Sequence, residues 1–353
     1  MRGLAVVIMI QCHTVNSLTR VDLRDGGPYV LSQFVGGMAA PLFLFMAGMT
    51  TAFQMDSLER RERLRRRRWL ISVRRAGYIL GIAYLFRLTN YLGAWPNGDA
   101  GDLTKVDILN CMGLAMAALS AAALFGTQGR ARFALAAGVT IAAAAPVVAN
   151  LPWEGLPRLV HEYLAPGFGR GRFSFFPCAA YLAFGLGAGA AVKRIASERM
   201  DRLMQWSVLI GFGMVFVAQY FSNLPYSMYP KSSFWTDSPA LTSIRTGICL
   251  LTMAGAYLWT EFGARRVWSW METLGKNSLM VYWVHVMLVY GAVIRPIKRK
   301  LDIPEAALAV AIVTALMVLL SVGWLRWKER RAGIQPVKQP AAREITEADR
   351  LVG

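Results

Sequence analysis

Residues 29–53 read YVLSQFVGGMAAPLFLFMAGMTTAF, and residues 56–75 read DSLERRERLRRRRWLISVRR. The first stretch holds no charged side chain and is long enough to cross a bilayer as a helix. The second holds nine arginines. An arginine at the bilayer centre costs about 3 kcal/mol even on a lenient insertion scale, so a short loop with nine is expected to stay on the cytoplasmic side. An uncharged block of span length followed by a basic loop predicts an all-α, polytopic membrane helix bundle.

Working outward from this pair, the apolar blocks predict ten spans, at about 3–18, 29–53, 76–92, 107–125, 133–150, 174–192, 204–221, 241–262, 277–294 and 305–325. Alternation from the arginine loop places both termini in the cytoplasm. Of the 39 Lys and Arg residues, 26 then fall on that side. Tryptophans near the predicted boundaries, among them Trp69, Trp153, Trp206 and Trp327, fit an interfacial belt. The segment with Arg295, Lys298, Arg299 and Lys300 runs against the rule, because the alternation puts it outside. Either the span count differs by one there or those charges serve an outer function. Residues 1–327 are expected to form one transmembrane domain. Residues 328–353, polar and with Pro336 and Pro340, are expected to be a flexible cytoplasmic tail.

Composition agrees. Of the 353 residues 55% are apolar and 17% are charged, against about a quarter charged in soluble domains. The net charge of +18 would point to nucleic acid in a soluble chain. Here it is assigned to membrane orientation, and no nucleic-acid partner is expected. The four cysteines stand far apart inside apolar blocks, and His13, His161 and His285 have no metal-ligand spacing. No metal site, signal peptide or phosphate loop is read. Gly185 and Gly189 form a small-xxx-small pair, a common packing pattern.

The polar residues inside spans carry the chemistry. Eleven residues separate Arg2 from His13, roughly 16 Å of helix, so His13 is predicted near mid-membrane with Asn16 on the same face. Ser278, Tyr282 and His285 recur at helical spacing and form one stripe, with His285 roughly 12 Å in from Asn277. Two histidines on different spans thus reach similar depth, either in one cavity or in an interhelical hydrogen-bond stripe. Arg87, in the outer half of the third span, needs a partner, and Asp107 is the expected one. Residues 151–176, the longest outer loop, are read as a connection or as a lid over an outward cavity.

These residues also resemble a known group. Arg2-Gly3-Leu4-Ala5-Val6-Val7 leading to His13 is similar to the first helix of integral-membrane acyltransferases, with the catalytic domain of heparan-α-glucosaminide N-acetyltransferase and its bacterial relatives as the best match. Residues 40–48 (APLFLFMAG), 106–114 (VDILNCMGL), 172–177 (RFSFFP) and 275–279 (GKNSL) before Tyr282 and His285 resemble that family's later motifs in order. The resemblance covers most of the first nine predicted spans. It implies a cytosolic acyl-CoA donor, an amine or hydroxyl acceptor on a sugar, and a location in the plasma (bacterial inner) membrane. It points to His13 as general base or acyl carrier, with Asn16, Asn277 and His285 as orienting or oxyanion-stabilising groups. Arg2, Arg67, Arg68, Arg74, Arg75, Asp107, Asn110, Arg172 and Ser174 are the expected substrate or donor contacts. The acidic residue that the family carries before Arg-Gly has no counterpart, since Met1 directly precedes Arg2. That departure implies either a start upstream of Met1 or lost activity. Two other readings stand beside acyl transfer: a secondary transporter, and an inactive component of envelope-glycan assembly.

Overall fold

The computed structural model describes residues 1–61, 64–93, 99–167, 173–195, 197–226, 228–263 and 269–331. The helices in chain order are α1 (Arg2–Leu18), α2 (Gly27–Gly36), α3 (Ala39–Arg60), α4 (Arg65–Gly93), α5 (Ile108–Ala118), α6 (Thr127–Ala149), α7 (Arg158–Leu164), α8 (Phe175–Arg194), α9 (Met200–Ser222), α10 (Pro239–Leu258), α11 (Trp270–Lys276), α12 (Ser278–Tyr290) and α13 (Ile303–Arg331). Among the described residues no sheet forms; Thr19 and Leu301 make one isolated parallel bridge.

The expected all-α architecture is what the chain adopts, and every segment read as a span is helical. Two of those segments are interrupted. Residues 29–53 divide into α2 and α3 at Gly37 and Met38. The break lies where α2 crosses α1 so closely that a Cβ at Gly36 would overlap the Cys12 sulfur. Residues 277–294 belong to α12 and a following 3₁₀ turn, with α11 joined to α12 at Asn277. Among the described residues six stretches are long and apolar enough to cross a membrane: 27–60, 127–149, 175–194, 200–222, 239–262 and 303–331. The chain is therefore a multi-pass membrane protein. The helices outside that group are short or polar: α1 has 17 residues, α12 has 13, α5 passes into a 3₁₀ turn, and α4 begins on four arginines.

The core is built on α8, which packs along both α3 and α6. Its buried run Ala179, Ala180, Tyr181, Leu182 and Ala183 meets Leu44, Ala115 and Ile141. The small-residue pair read in the sequence lies on the α3 face: a Cβ at Gly185 would overlap the Phe45 carbonyl. In lipid, where no hydrophobic force draws helices together, this close approach supplies the packing energy.

α1 and α12 run side by side in the same direction. Gly3 abuts Met271 at one end, and at the other the Ser17 hydroxyl donates to the Val289 carbonyl at 2.7 Å. Beyond α12 the chain returns to the end of α1. Arg299 N donates to Ser17 O at 3.1 Å, Leu301 N to Leu18 O at 3.0 Å, and Arg20 N to Leu301 O at 3.0 Å. The Arg295–Lys300 segment therefore shares an end of the bundle with the α1–α2 connection. α13 continues through Arg331, and the rest of the expected tail lies outside the described residues.

Candidate active site at a pair of histidines

The helices too short or too polar for the apolar scaffold are the ones that build the site. His13 on α1 and His285 on α12 meet across 272 residues of sequence, with His13 Nδ1 2.9 Å from His285 Nε2. The rings lie nearly parallel, with centroids 5.2 Å apart. His285 is fully buried, and its Nδ1 stands 2.8 Å from the Val281 carbonyl one turn back on its own helix.

That carbonyl fixes the protons of both rings. A carbonyl oxygen only accepts, so His285 Nδ1 carries the hydrogen. With neutral rings, His285 Nε2 is then an acceptor, and His13 Nδ1 must donate to it. His13 Nε2 is left deprotonated, with its lone pair in the ring plane. The pair thus selects one tautomer of His13, the one that offers a base at Nε2.

Aromatic and amide groups surround the pair. Tyr290 approaches the His13 ring edge-on at 5.6 Å. Asn16 Nδ2 donates to the Tyr290 hydroxyl at 3.5 Å, while Asn16 Oδ1 accepts from Tyr29 at 3.0 Å. On the other side of His285 the ring of Tyr282 stands 6.0 Å away. Its hydroxyl donates to Asp107 Oδ2 at 3.3 Å. The same oxygen takes Arg87 Nη2 at 2.8 Å, so the ion pair expected from the sequence is present and largely buried. Asp107 Oδ1 accepts from Leu109 N at 3.0 Å and Asn110 N at 3.4 Å, capping α5. Both carboxylate oxygens are thereby engaged, and Asp107 acts here as the anchor of Tyr282.

A cavity of about 200 Å³ lies about one helical turn from this pair along α1 and α12. Arg2 and Arg75 line one end, and Met9 and Tyr282, each within a turn of a histidine, line the other. Its walls are apolar, with Phe43, Met46, Ile79 and Met112, and Ser278 is among the few polar groups. Arg75 Nη1 donates to Gln54 Oε1.

Residues 1–323 match the model of a family described as an acyltransferase domain. The chain belongs to that acyltransferase family. No curated protein matches the chain at a significant level. The match spans every element that builds the histidine pair and its cavity.

The other residues expected at the acyltransferase site fall into three groups. Arg2 and Arg75 line the cavity, while Arg67 and Arg74 are exposed on α4. Arg68, also expected as a donor contact, does not line the cavity. It is buried and turned onto Glu59 at 3.3 Å, and Glu59 also binds the fully buried Arg130 at 2.7 Å. A guanidinium buried against a shared carboxylate ties α3, α4 and α6 together. Asn277 is likewise engaged: its amide donates to Thr273 O at 3.4 Å and Ser321 O at 3.3 Å, tying the α11–α12 joint to α13. Asn110 completes the α5 capping box and donates to the Tyr163 hydroxyl at 3.0 Å. Burial, and then the hydrogen bond with Tyr84, push that phenol's pKa up. Ser174 precedes α8 and donates to Phe176 O at 2.6 Å. Arg172 lies outside the described residues.

Sequence reading passed over Tyr29, Tyr290 and Arg245. Tyr290 falls five residues after His285, off the helical stripe that flagged its neighbours. Tyr29 sat at a predicted span start, where an aromatic is unremarked. Arg245 had a plain signal, since it is the one basic residue inside the apolar block 241–262.

Proposed function

We propose that the protein transfers an acyl group, acetyl in the simplest case, from cytosolic acyl-CoA to a hydroxyl or amine of a sugar-containing acceptor. The observation that carries this reading is the Val281–His285–His13 hydrogen-bond chain, which leaves a base at His13 Nε2 beside an apolar cavity. The donor enters at the Arg2 and Arg75 end, the end next to the arginine-rich loop, which we place in the cytoplasm of a plasma membrane. The two guanidiniums meet its phosphates, and the thioester arm runs along Phe43, Met46 and Met112 toward the histidines.

The acceptor O–H or N–H attacks the thioester carbonyl while its proton passes to His13 Nε2. The C–S bond then breaks, and His13 returns the proton to the departing thiolate. His285 holds the His13 tautomer and stabilises the imidazolium that forms in between. The Tyr282–Asp107–Arg87 string holds the α12 face in register with α4 and α5. The acceptor class follows the resemblance to the heparan-α-glucosaminide N-acetyltransferase group, and the family match supports acyl transfer in general.

The test supplies membranes containing the wild type or His13→Ala with labelled acetyl-CoA and a panel of sugars. Acceptor labelling is expected to fall about 10²–10⁴-fold in the variant, the usual worth of a general base. Equal labelling of both would sink the His13 role.

A further inference from the structure

A second cavity, of about 300 Å³, lies between α2 and the start of α10. Phe34, Trp235, Ile244 and Ile248 give it an apolar wall, and Arg245 is the only cation among its lining residues. Arg245 stands six residues inside α10, roughly 9 Å from its first turn. Among the described residues it makes no ion pair; its neighbours are Tyr181, Cys178 and the backbone at Gly37. A guanidinium within a membrane span is costly, and in general it faces an anion or a wet cavity that serves function.

The cavity is also wired to the histidine pair. Tyr29, on its wall, is the residue that donates to Asn16, one turn after His13. Gln33, also on its wall, accepts from the Cys12 thiol, next to His13 in sequence. The first cavity lies on the Arg2 side of the histidines, lined by Met9 and Tyr282. This one lies toward the opposite end of the same helix.

We infer that this second cavity takes the acceptor as an anion-bearing lipid, a phosphate seated on Arg245 and its hydrocarbon chain laid against Phe34, Trp235, Ile244 and Ile248. The inference rests on the acyl-transfer reading for the word acceptor, and on the cavity alone for the lipid phosphate. Charge complementarity argues for the anion, and the apolar wall argues for the chain. A sugar joined to that phosphate passes over Tyr29 and Asn16 toward His13 Nε2. A bulk phospholipid offers the same chemistry, so the experiment separates the two sources.

The full-length protein is placed in phosphatidylcholine nanodiscs and exposed to a photoactivatable fifteen-carbon isoprenyl monophosphate. The matching uncharged isoprenol and a photoactivatable phosphatidylglycerol serve as parallel probes. The phosphate probe is expected to label peptides containing Phe34 or Trp235. Labelling should drop at least about tenfold in Arg245→Gln, as expected for loss of a charge-assisted contact. It should persist in Arg245→Lys and disappear in Ile248→Trp, which fills the cavity while keeping the cation. Equal labelling of wild type and Arg245→Gln, or equal labelling by the isoprenol, overturns the site. Phosphatidylglycerol labelling as strong as the isoprenyl phosphate, and displacing it, overturns the acceptor assignment. His13→Ala should label like wild type. If no variant or wild type transfers an acyl group while labelling follows Arg245, the acyl-transfer reading fails and the lipid site stands. If transfer is present and labelling ignores Arg245, this inference fails alone.

Discussion

The two cavities hold positive charge in opposite ways. At the first cavity Arg2 opens α1, Arg75 stands ten residues into α4, whose first turn carries four further arginines, and Arg75 already has Gln54 as a partner. At the other cavity a single guanidinium stands inside a span, with tyrosine, cysteine and glycine for company. Cations at a wet rim are screened and suit a soluble polyanion that comes and goes. A lone cation beside an apolar wall suits the anion with its own hydrocarbon that we infer for this cavity. If His13 on α1 is the base we propose, two substrates of different solubility reach one nitrogen without sharing a doorway.

This contrast can be broken in three further places. The largest effect is expected from Asp107→Ala, which removes the partner of the buried Arg87 and the acceptor of Tyr282. Losing one member of a buried ion pair costs about 3–5 kcal/mol. Thermal unfolding in detergent should show it, while isoprenyl phosphate labelling at Arg245 survives under conditions where the chain stays folded. Next is the double variant Arg2→Ala with Arg75→Ala. It should raise the KM for acyl-CoA by about 10–100-fold, leave the acceptor KM in place, and lower kcat little, because contacts made equally in ground and transition states act on KM. Initial rates with each substrate varied separately decide it, and a shift in the acceptor KM would erase the division between the cavities. The smallest is Tyr29→Phe, which removes one hydrogen bond to Asn16, a net contribution of about 0.5–1.5 kcal/mol. A several-fold loss of transfer rate with an unchanged donor KM is expected, and an unchanged rate would detach the second cavity from His13.

Much of this was written in the sequence, and what was missing has physical reasons. Apolar blocks gave the helices because lipid leaves the backbone few alternatives. His13 and His285 stood out because a polar ring in a span is expensive, and Arg87 with Asp107 because a buried charge needs its opposite. The interruptions at Gly37–Met38 and at Gly291 did not show, since uncharged small residues leave the hydropathy of a span intact. The inward turn of Arg68 was hidden for a related reason. In a run of four arginines nothing marks the one that turns inward, because that depends on Glu59 and Arg130 arriving from other helices. The tautomer of His13 was beyond any sequence reading, as it hangs on one backbone carbonyl at Val281.

The distance in sequence between His13 and His285 has a consequence for the life of a newly made chain. Synthesis proceeds at about 5–20 residues per second, so residue 285 emerges roughly 14–54 s after residue 13. Throughout that interval the nascent protein holds one histidine without the other, and nothing fixes its proton. The carbonyl that sets the tautomer belongs to α12, one of the last helices to be made, and the Leu18–Leu301 backbone bond that ties down the end of α1 comes later still. A growing chain, or one cut short before α12, therefore has the scaffold but not the base. On the proposed reading, the protein gains its base only when it is nearly complete, and a half-made copy in the membrane has little means of wasting a thioester.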